Sequence, residues 1–213
     1  MRVLDLFSGS QSVGKVCKEL GWECISLDSE HKADIQANIL TWDYKVFKPH
    51  DFDIITASPP CKYFSSLRYC NIGRRIAGQD AVYTKKMIEE ERETVGKPLV
   101  DKAREIIEYL KPRFFWIENP QTGRMKDYIT DLPFYDVDYC QYGFGYRKRT
   151  RFWTNITGFT PRLCAGFGKC KSMVGKRHRI TLSEIGGGNY RLKRYRIPPE
   201  LIKELFQAVE TVS

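Results

Sequence analysis

Short apolar runs alternate with amphipathic stretches along the chain, and this pattern predicts alternating strands and helices. The first 28 residues hold an apolar run at 2–7, a turn of small residues, a helical stretch ending at Gly21 and a second apolar run at 22–28. A strand, turn, helix and strand in this order form a βαβ unit, which requires parallel strands joined by a right-handed crossover.

The rest of the chain continues this alternation. Further strands are predicted at 51–61, 113–120, 134–143 and 150–155, and helices at 85–93, 99–110 and 196–212. The second of these helices should end before Pro112, and the last carries prolines near its start. We therefore expect an α/β fold, a Rossmann-like, doubly wound and mostly parallel sheet with helices on both faces.

Two segments do not fit this alternation. Residues 62–97 are rich in charge and contain little apolar material apart from one solvated helix, so we expect a segment that is mobile on its own. Residues 156–194 are rich in Gly, Lys, Arg and Cys, and they predict a small irregular subdomain. The expected organisation is a main domain at 1–155, this subdomain at 156–194 and a closing helix at 195–213 that packs back on the main domain.

Composition narrows the class of partner. Lys and Arg total 35 against 26 Asp and Glu, a net charge of +9, which suits either a polyanionic partner or a merely soluble basic protein. No apolar run approaches the ~20 residues of a membrane span, and the N-terminus shows no signal pattern. We expect an intracellular protein in a reducing compartment, where its seven scattered cysteines are free thiols, metal ligands or a catalytic thiolate rather than disulfides.

Several polar side chains fall at the carboxyl ends of predicted strands, where doubly wound sheets bind ligands. Gly9 and Gly14 flank the first turn, and Asp28 ends the second strand. Glycines at a helix start admit a ligand close to free backbone N–H groups, and an acid at this position accepts hydrogen bonds from ribose hydroxyls. The three residues favour a nucleoside cofactor, the alternative being an ordinary turn and a helix cap.

A thiol and a carboxyl follow the next two strands. Cys61 comes after Ser58-Pro59-Pro60, and Glu118 precedes Asn119-Pro120. Because both strand ends meet at one edge of the sheet, the two residues form a plausible pair of nucleophile and acid. The ordinary alternatives are a small buried cysteine for Cys61 and a helix cap for Glu118.

Three arginines alternate along the start of the strand predicted at 150–155. Arg147, Arg149 and Arg151 would share one face of an extended chain, where they repel one another unless they meet anions. A solvated basic face is the usual outcome of such a run, but the neighbouring aromatic residues favour contact with nucleic acid.

These segments, in this order, resemble the motifs of the DNA (cytosine-5)-methyltransferase family. The matching segments are Asp5-Leu6-Phe7-Ser8-Gly9, Pro60-Cys61 followed by Phe64-Ser65, Glu118-Asn119, Arg149 with Arg151, and Ile197-Pro198-Pro199. The resemblance covers nearly the whole chain and is weak between 156 and 194. The short length and the segments ENPQTG and RKRTRFWTN look most like the compact versions encoded by phages and large DNA viruses.

The resemblance implies transfer of a methyl group from S-adenosylmethionine to C5 of a cytosine flipped out of double-stranded DNA. It implies that Cys61 attacks C6 as a thiolate of lowered pKa, that Glu118, its pKa raised by burial, donates a proton to N3, and that Arg149 and Arg151 hold the base. Residues expected at the cofactor are Asp5, Phe7, Ser8, Gly9, Gly14, Asp28, Asn38 and Pro60. Residues expected at DNA are Ser65, Arg68, Asn119, Arg147 and Lys148, and the protein is expected to act as a monomer. The segment 62–97 would close over the flipped base.

The chain departs from the family pattern at several positions. Asn38 stands where many relatives carry aspartate, Arg147 where glutamine is usual and Lys62 where glutamine is common. The recognition region between the arginine pair and the closing motif is also very short. Two alternatives therefore stay open, which are the same chemistry on transfer RNA and a catalytically weak DNA-binding protein.

The irregular subdomain contains potential metal ligands. Cys164, Cys170 and His178 have the spacing Cys-x5-Cys-x7-His, and Cys140 offers a fourth ligand. This spacing lacks the usual closely spaced cysteine pair of zinc sites. We therefore expect reduced, unligated cysteines here in preference to a structural zinc.

Overall fold

The computed structural model describes residues 1–181, 184–185 and 191–211 and contains one seven-stranded sheet. Its strands are β1 Arg2–Leu6, β2 Glu23–Asp28, β3 Ile35–Gln36, β4 Ile54–Ala57, β5 Phe114–Pro120, β6 Phe134–Asp138 and β7 Arg149–Thr154. Their order is β3-β2-β1-β4-β5-β7-β6. The first five are parallel, whereas β7 runs antiparallel to both β5 and β6. The predicted mostly parallel sheet is confirmed.

Five α-helices accompany the sheet in the described part of the chain, namely α1 Ser12–Glu19, α2 Lys85–Glu91, α3 Lys97–Leu110, α4 Arg191–Arg194 and α5 Pro199–Thr211. A π-helical turn over Arg92–Gly96 joins α2 to α3. The helix α3 ends where Lys111 adopts a left-handed conformation (φ 47°), as the following proline requires a break. Residue 212, the last of the predicted closing helix, lies outside the described residues.

The two faces of the sheet carry separate cores because successive side chains of a strand point to opposite faces. On one face, α1 and α5 pack on Val3, Ile54 and Trp116. On the other face, α3 packs on Leu4, Ile55 and Ile117. The helices therefore cover both faces and leave the carboxyl ends of the strands open between them.

The connection between β6 and β7 differs from the sequence-based expectation. The strand predicted at 134–143 ends at Asp138, and a 3-10 turn follows over Tyr139–Gln141. The turn is fixed because the Tyr139 N–H donates to the Lys148 carbonyl (3.2 Å). Since β7 begins only at Arg149, Arg147 lies outside the strand, and the expected row of three strand arginines is reduced to Arg149 and Arg151.

The segment 62–97 is organised around a buried arginine. Arg92 is 5% exposed, and its guanidinium donates to the Tyr63 carbonyl (3.4 Å) and to the Tyr69 hydroxyl (2.8 Å). Residues 72–82 form an exposed turn closed by a bridge between Arg75 and Val82. Movement of the segment 62–97 stays a prediction. The exposed turn at 72–82 is the part of it that we expect to move most.

The irregular segment predicted at 156–194 contains one small antiparallel hairpin, β8 Met173–Val174 with β9 Arg177–His178, and the short helix α4. Residues 182–183 and 186–190 of this segment lie outside the described part. No helix among the described residues combines the length and apolarity needed to cross a bilayer.

One position of β1 places a carboxyl group in the core beside α1. Asp5 is 3% exposed, and the Thr56 hydroxyl donates to its Oδ1 (2.7 Å). Burial raises the pKa of Asp5 to about 7, and the charges of Asp28 and Glu118 add to the rise while the Thr56 hydrogen bond opposes it. The centre of the sheet therefore carries a carboxyl that titrates near neutral pH.

We predict that the Asp5→Asn variant loses less free energy of unfolding than the wild type as the pH rises. A carboxyl with a raised pKa binds more protons in the folded state, so wild-type stability falls as pH rises from about 4 to about 7. The shift of the Asp5 pKa to about 7 corresponds to a loss of stability on the order of 4 kcal/mol above pH 7. The asparagine side chain does not ionise, so the variant avoids this loss. Urea unfolding at pH 5 and pH 8 measures the difference.

Asp34→Asn is the control for this experiment. Hydrogen bonds from Ser26 lower the pKa of Asp34, so its ionisation is complete below the tested pH window. Parallel stability curves for wild type and Asp5→Asn between pH 5 and 8 would contradict the prediction.

Candidate active site

A cleft opens at the carboxyl ends of β1, β2, β4 and β5, the edge of the sheet where proteins of this architecture bind ligands. The residues predicted for the site that line it are Phe7, Gly9, Asp28, Pro60, Cys61, Glu118, Asn119 and Lys148. The predicted residues that do not line it are Asp5, Ser8, Gly14, Asn38, Ser65, Arg68, Arg147, Arg149 and Arg151. Residues that sequence reasoning missed include Glu30, His31, Ser58, Lys62 and Tyr195.

The turn after β1 is held by Asp28. Phe7 and Gly9 both adopt left-handed conformations (φ 61° and 45°), which turn the chain sharply into α1. The Gly9 N–H donates to Asp28 Oδ2 (2.9 Å), and the N–H groups of Glu30 and His31 donate to Oδ1 (2.8 Å each). Both carboxylate oxygens of Asp28 therefore already accept hydrogen bonds from backbone N–H groups. The exposed carboxylate at this side of the cleft is that of Glu30.

Cys61 lies on a loop that several backbone contacts fix. Asn119 Nδ2 donates to the Pro59 carbonyl (2.9 Å), and the N–H groups of Phe64 and Ser65 donate to the Cys61 carbonyl (3.0 and 2.9 Å). Phe64 is fully buried, and the Arg124 N–H donates to its carbonyl (2.8 Å). The thiol is therefore presented by a rigid support between β4 and β5.

The pKa of Cys61 is raised, contrary to the lowered value that we expected. Desolvation by burial is the main cause, and the charge of Glu118 adds to it. The positive charges of Lys148 and Arg194 oppose the rise without cancelling it. A thiol enclosed by protein holds its proton more firmly than one in water.

Glu118 has the environment of a neutral carboxyl. It is 5% exposed, and its Oε2 is buried with no hydrogen-bond partner among the described residues. Burial raises its pKa, although Lys148 and a hydrogen bond with Ser58 oppose the rise. The direction is the one predicted from the sequence. A buried acceptor without a partner is costly, so this oxygen is prepared for a proton or a ligand.

Lys148 is the buried cation of the site. It is 9% exposed, its Nζ donates to the Arg194 carbonyl (3.4 Å), and it lies 4.9 Å from the centre of the Tyr139 ring. Lys148 faces the cleft beside Cys61 and Glu118, where its charge opposes the rise in the pKa of both, and its predicted contact with DNA stays a prediction.

The arginine pair is bound by carboxylates of β6. Arg151 Nε and Nη2 donate to Asp136 (2.7 and 2.8 Å), and Arg149 Nε and Nη2 donate to Asp138 (3.2 and 2.6 Å). Arg147 Nε also donates to Asp138 (3.1 Å). The anions that offset the charge of these arginines are therefore the protein's own carboxylates, Asp136 and Asp138. None of the three guanidinium groups lines the cleft.

The remaining predicted residues have local structural partners. Asn38 is exposed, and its Oδ1 accepts from the Leu40 N–H (3.0 Å). Ser65 Oγ accepts from the Leu67 N–H (3.2 Å), and Arg68 pairs with Glu91. Gly14 lies within α1, where an added Cβ would stand 3.1 Å from Gln11 Oε1, and Ser8 Oγ accepts from Gln11 Nε2 (2.9 Å).

The potential metal ligands meet in space. The ligand atoms of Cys140, Cys164, Cys170 and His178 all lie within 4.8 Å of one another. All seven cysteines are free thiols.

Comparison with solved structures defines the class of fold. A prophage-encoded protein of E. coli, described as a DNA modification methyltransferase, covers 76% of this chain at 15% identity with a TM-score of 0.51. The Entamoeba histolytica methyltransferase EhMeth covers 77% at 13% identity with a TM-score of 0.50. This chain spans about half of each structure, 51% and 55%. Together with the strand order and the reversed seventh strand, these matches define the fold of class I S-adenosylmethionine-dependent methyltransferases.

Sequence comparison then identifies the family. A scan against models of known protein families finds no match. The chain is 49% identical, over 96% of its length, to the Frog virus 3 (isolate Goorha) protein named "Probable DNA (cytosine-5)-methyltransferase", of which it covers 98%. The chain belongs to the DNA (cytosine-5)-methyltransferase family, and its resemblance to the compact forms of large DNA viruses is confirmed.

We predict that Lys148→Met raises the pKa of Cys61 further. The substitution removes the largest influence that opposes burial, so a smaller fraction of the thiol is ionised at any given pH. The rate at which iodoacetamide alkylates Cys61, followed by peptide mass spectrometry across pH, should shift to higher pH.

Lys62→Met serves as the matched control, since Lys62 lines the same cleft but is not among the main influences on the pKa of Cys61. A Lys148→Met profile that superimposes on the wild-type profile would disprove the electrostatic role of Lys148.

Proposed function

We propose that this protein transfers a methyl group from S-adenosylmethionine to C5 of cytosine in double-stranded DNA, through a covalent bond between Cys61 and C6 of the base. One observation carries the proposal. The thiol of Cys61, the buried carboxyl of Glu118 and the buried ammonium of Lys148 converge on one cleft of a methyltransferase fold. Membership of a family whose Frog virus 3 relative is named for this activity supports the choice of substrate.

Each of the three groups has a role that its environment favours. Cys61 attacks C6 as a thiolate, and the charge that develops on the ring is met at N3 by a proton from Glu118. Burial raises the pKa of Glu118, which is the direction that proton donation requires. Lys148 stabilises the thiolate before attack. After C5 has been methylated, loss of its proton to water allows the S–C6 bond to break and returns the proton from N3 to Glu118.

The raised pKa of Cys61 adds a condition to this mechanism. Few thiolates exist at neutral pH in the free protein, so attack requires that the thiol proton pass to water as the base arrives. A thiolate of higher pKa is the stronger nucleophile once it has formed. The cleft thus favours a reactive thiolate that is generated only with the base in place.

The cleft also fits the cofactor that the fold class implies. The Gly9 turn brings the backbone and the start of α1 to the cleft, Phe7 supplies an apolar wall, and Glu30 offers an exposed carboxylate. These are an apolar surface for a base and an anionic acceptor for ribose hydroxyls. S-adenosylmethionine, when bound, supplies the methyl group as an activated sulfonium.

Access to DNA requires that the cytosine leave the duplex, because the reactive groups lie inside a cleft. The net charge of +9 favours a polyanionic substrate, and the exposed turn at 72–82, which carries Arg74 and Arg75, is placed next in sequence to the Cys61 loop. We propose that the segment 62–97 closes over the flipped base. The short irregular segment at 156–194 keeps transfer RNA as the second candidate substrate.

Trapping of the covalent adduct tests both the substrate and the nucleophile. Protein with labelled S-adenosylmethionine is incubated separately with double-stranded DNA and with transfer RNA, each containing 5-fluorocytosine, whose fluorine prevents the final elimination. We expect a denaturation-resistant adduct on DNA that Cys61→Ser abolishes while cofactor binding persists.

Each result of this experiment decides between alternatives. An adduct on RNA alone would replace the substrate and keep the mechanism. An adduct that survives Cys61→Ser would refute Cys61 as the nucleophile, and cofactor binding without any adduct would favour a DNA-binding protein without activity. Cys70→Ser, which removes an exposed thiol, is the matched control and should trap normally.

We further predict that Glu30, rather than Asp28, binds the cofactor through its carboxylate. Glu30→Gln should weaken S-adenosylmethionine binding about tenfold, because a hydrogen bond to a charged group contributes about 1.5–3 kcal/mol. Asp28→Asn should mainly lower the melting temperature, since its amide would face three backbone N–H donors. Isothermal titration and thermal unfolding separate the two effects. The reverse pattern would assign the ribose to Asp28.

A further inference from the structure

Four metal-binding side chains from separate parts of the chain meet beside the sheet, outside the cleft. Cys140 lies in the turn after β6, Cys164 and Cys170 come from the irregular segment, and His178 ends β9. Cys140 is distant in sequence from the other three, so its approach to them results from the tertiary fold.

The two sulfur–nitrogen distances of the cluster match a tetrahedral zinc site, and all its ligand atoms lie within 4.8 Å of one another. Cys164 Sγ and Cys170 Sγ lie 3.4 and 3.7 Å from His178 Nε2. Zinc bonds of about 2.3 Å to sulfur and about 2.0 Å to nitrogen, at tetrahedral angles, place sulfur about 3.5 Å from nitrogen and about 3.8 Å from another sulfur. We propose that this protein binds one Zn²⁺ ion through Cys140, Cys164, Cys170 and His178.

The surroundings of the cluster support a metal. Cys140 and Cys170 are each 6% exposed. Gln141 Nε2 is directed at both of these sulfurs, at 3.7 Å from Cys140 and 3.4 Å from Cys170. An N–H donor shared between two sulfurs is suited to thiolates, and such outer contacts orient the ligands of metal sites. Four protein ligands leave no open position, so the site is structural and not catalytic.

A bound metal would also explain how residues 161–181 keep a defined fold. Between 161 and 181 the regular structure consists of two strands of two residues each, and several apolar side chains, among them Phe167 and Val174, are exposed. A segment with so little core needs another source of stability, and binding of a structural zinc supplies folding free energy directly.

The position of the cluster connects it to the cleft. Cys140 follows Tyr139, whose N–H donates to the Lys148 carbonyl, and the Cys164 N–H donates to Asp138 Oδ2 (2.8 Å), the carboxylate that binds Arg149. The zinc would therefore fix the irregular segment to the β6–β7 connection that carries Lys148.

Metal analysis of the intact protein tests the proposal. Protein purified without chelators should hold about one zinc per chain, and X-ray absorption should fit about three sulfurs at ~2.3 Å and one nitrogen at ~2.0 Å. Cys164→Ser should lose most of the zinc, whereas His178→Cys, which keeps four ligands, should retain it. Cys70→Ser, at an exposed cysteine outside the cluster, should retain the full content.

Three results would overturn the proposal. These are wild-type protein that stays zinc-free after dialysis against ZnCl₂, a zinc content that Cys164→Ser does not change, and an absorption spectrum without sulfur ligands. If the serine variant fails to fold, the wild-type spectrum still decides.

Hydrogen exchange supplies an independent readout in the unmodified protein. A strong chelator should accelerate exchange in residues 162–181 and in the β6–β7 connection while β1 stays protected. Unchanged exchange after confirmed metal removal would refute the structural role.

Discussion

The carboxylate of Asp138 joins three parts of the molecule. It is fully buried at the end of β6 and accepts hydrogen bonds from Arg147, from Arg149 and from the Cys164 backbone. A buried carboxylate is tolerated only when its lone pairs are satisfied, and loss of one partner of such a pair costs about 3–5 kcal/mol. Because no single partner satisfies Asp138, the strand β6, the guanidinium groups of Arg147 and Arg149 and the irregular segment must be in place together. The geometry of the β6–β7 connection, and with it the position of Lys148, depends on this arrangement.

The cleft differs from the Asp138 site, because its acidic groups have too little positive charge around them to stay ionised easily. Cys61 and Glu118 share the buried ammonium of Lys148, and burial still raises the pKa of both. The free cleft thus disfavours the charged forms of both acidic groups, and Lys148 is the cation that opposes this effect.

The sequence predicted the scaffold more completely than the site. Most strands, the main helices and the carboxyl-end location of Cys61 and Glu118 follow from local periodicity, whereas a non-local contact ends the strand predicted at 134–143 at Asp138. Lys148 and Tyr195 enter the cleft because the β6–β7 connection and the segment before α5 fold back over it, and no local pattern marks that. The arginine pair shows the same limit, since its partners Asp136 and Asp138 lie on a strand whose pairing with β7 is non-local. The approach of Cys140 to Cys164, Cys170 and His178 is likewise non-local, and the spacing of the cysteines does not reveal it.

The packing of α5 against α1 determines when the core on their face of the sheet can form. Ser12 Oγ accepts from the Ile197 N–H, and Phe206 of α5 stacks on Trp22 at 4.7 Å between ring centres. One of the two cores therefore joins residues near the start of the described chain to residues near its end. During synthesis the first βαβ unit leaves the ribosome with this face uncovered, and it stays so until the closing helix has emerged. Folding of this layer thus waits for the synthesis of α5, and a chain made only as far as the first βαβ unit exposes apolar surface that invites chaperone binding.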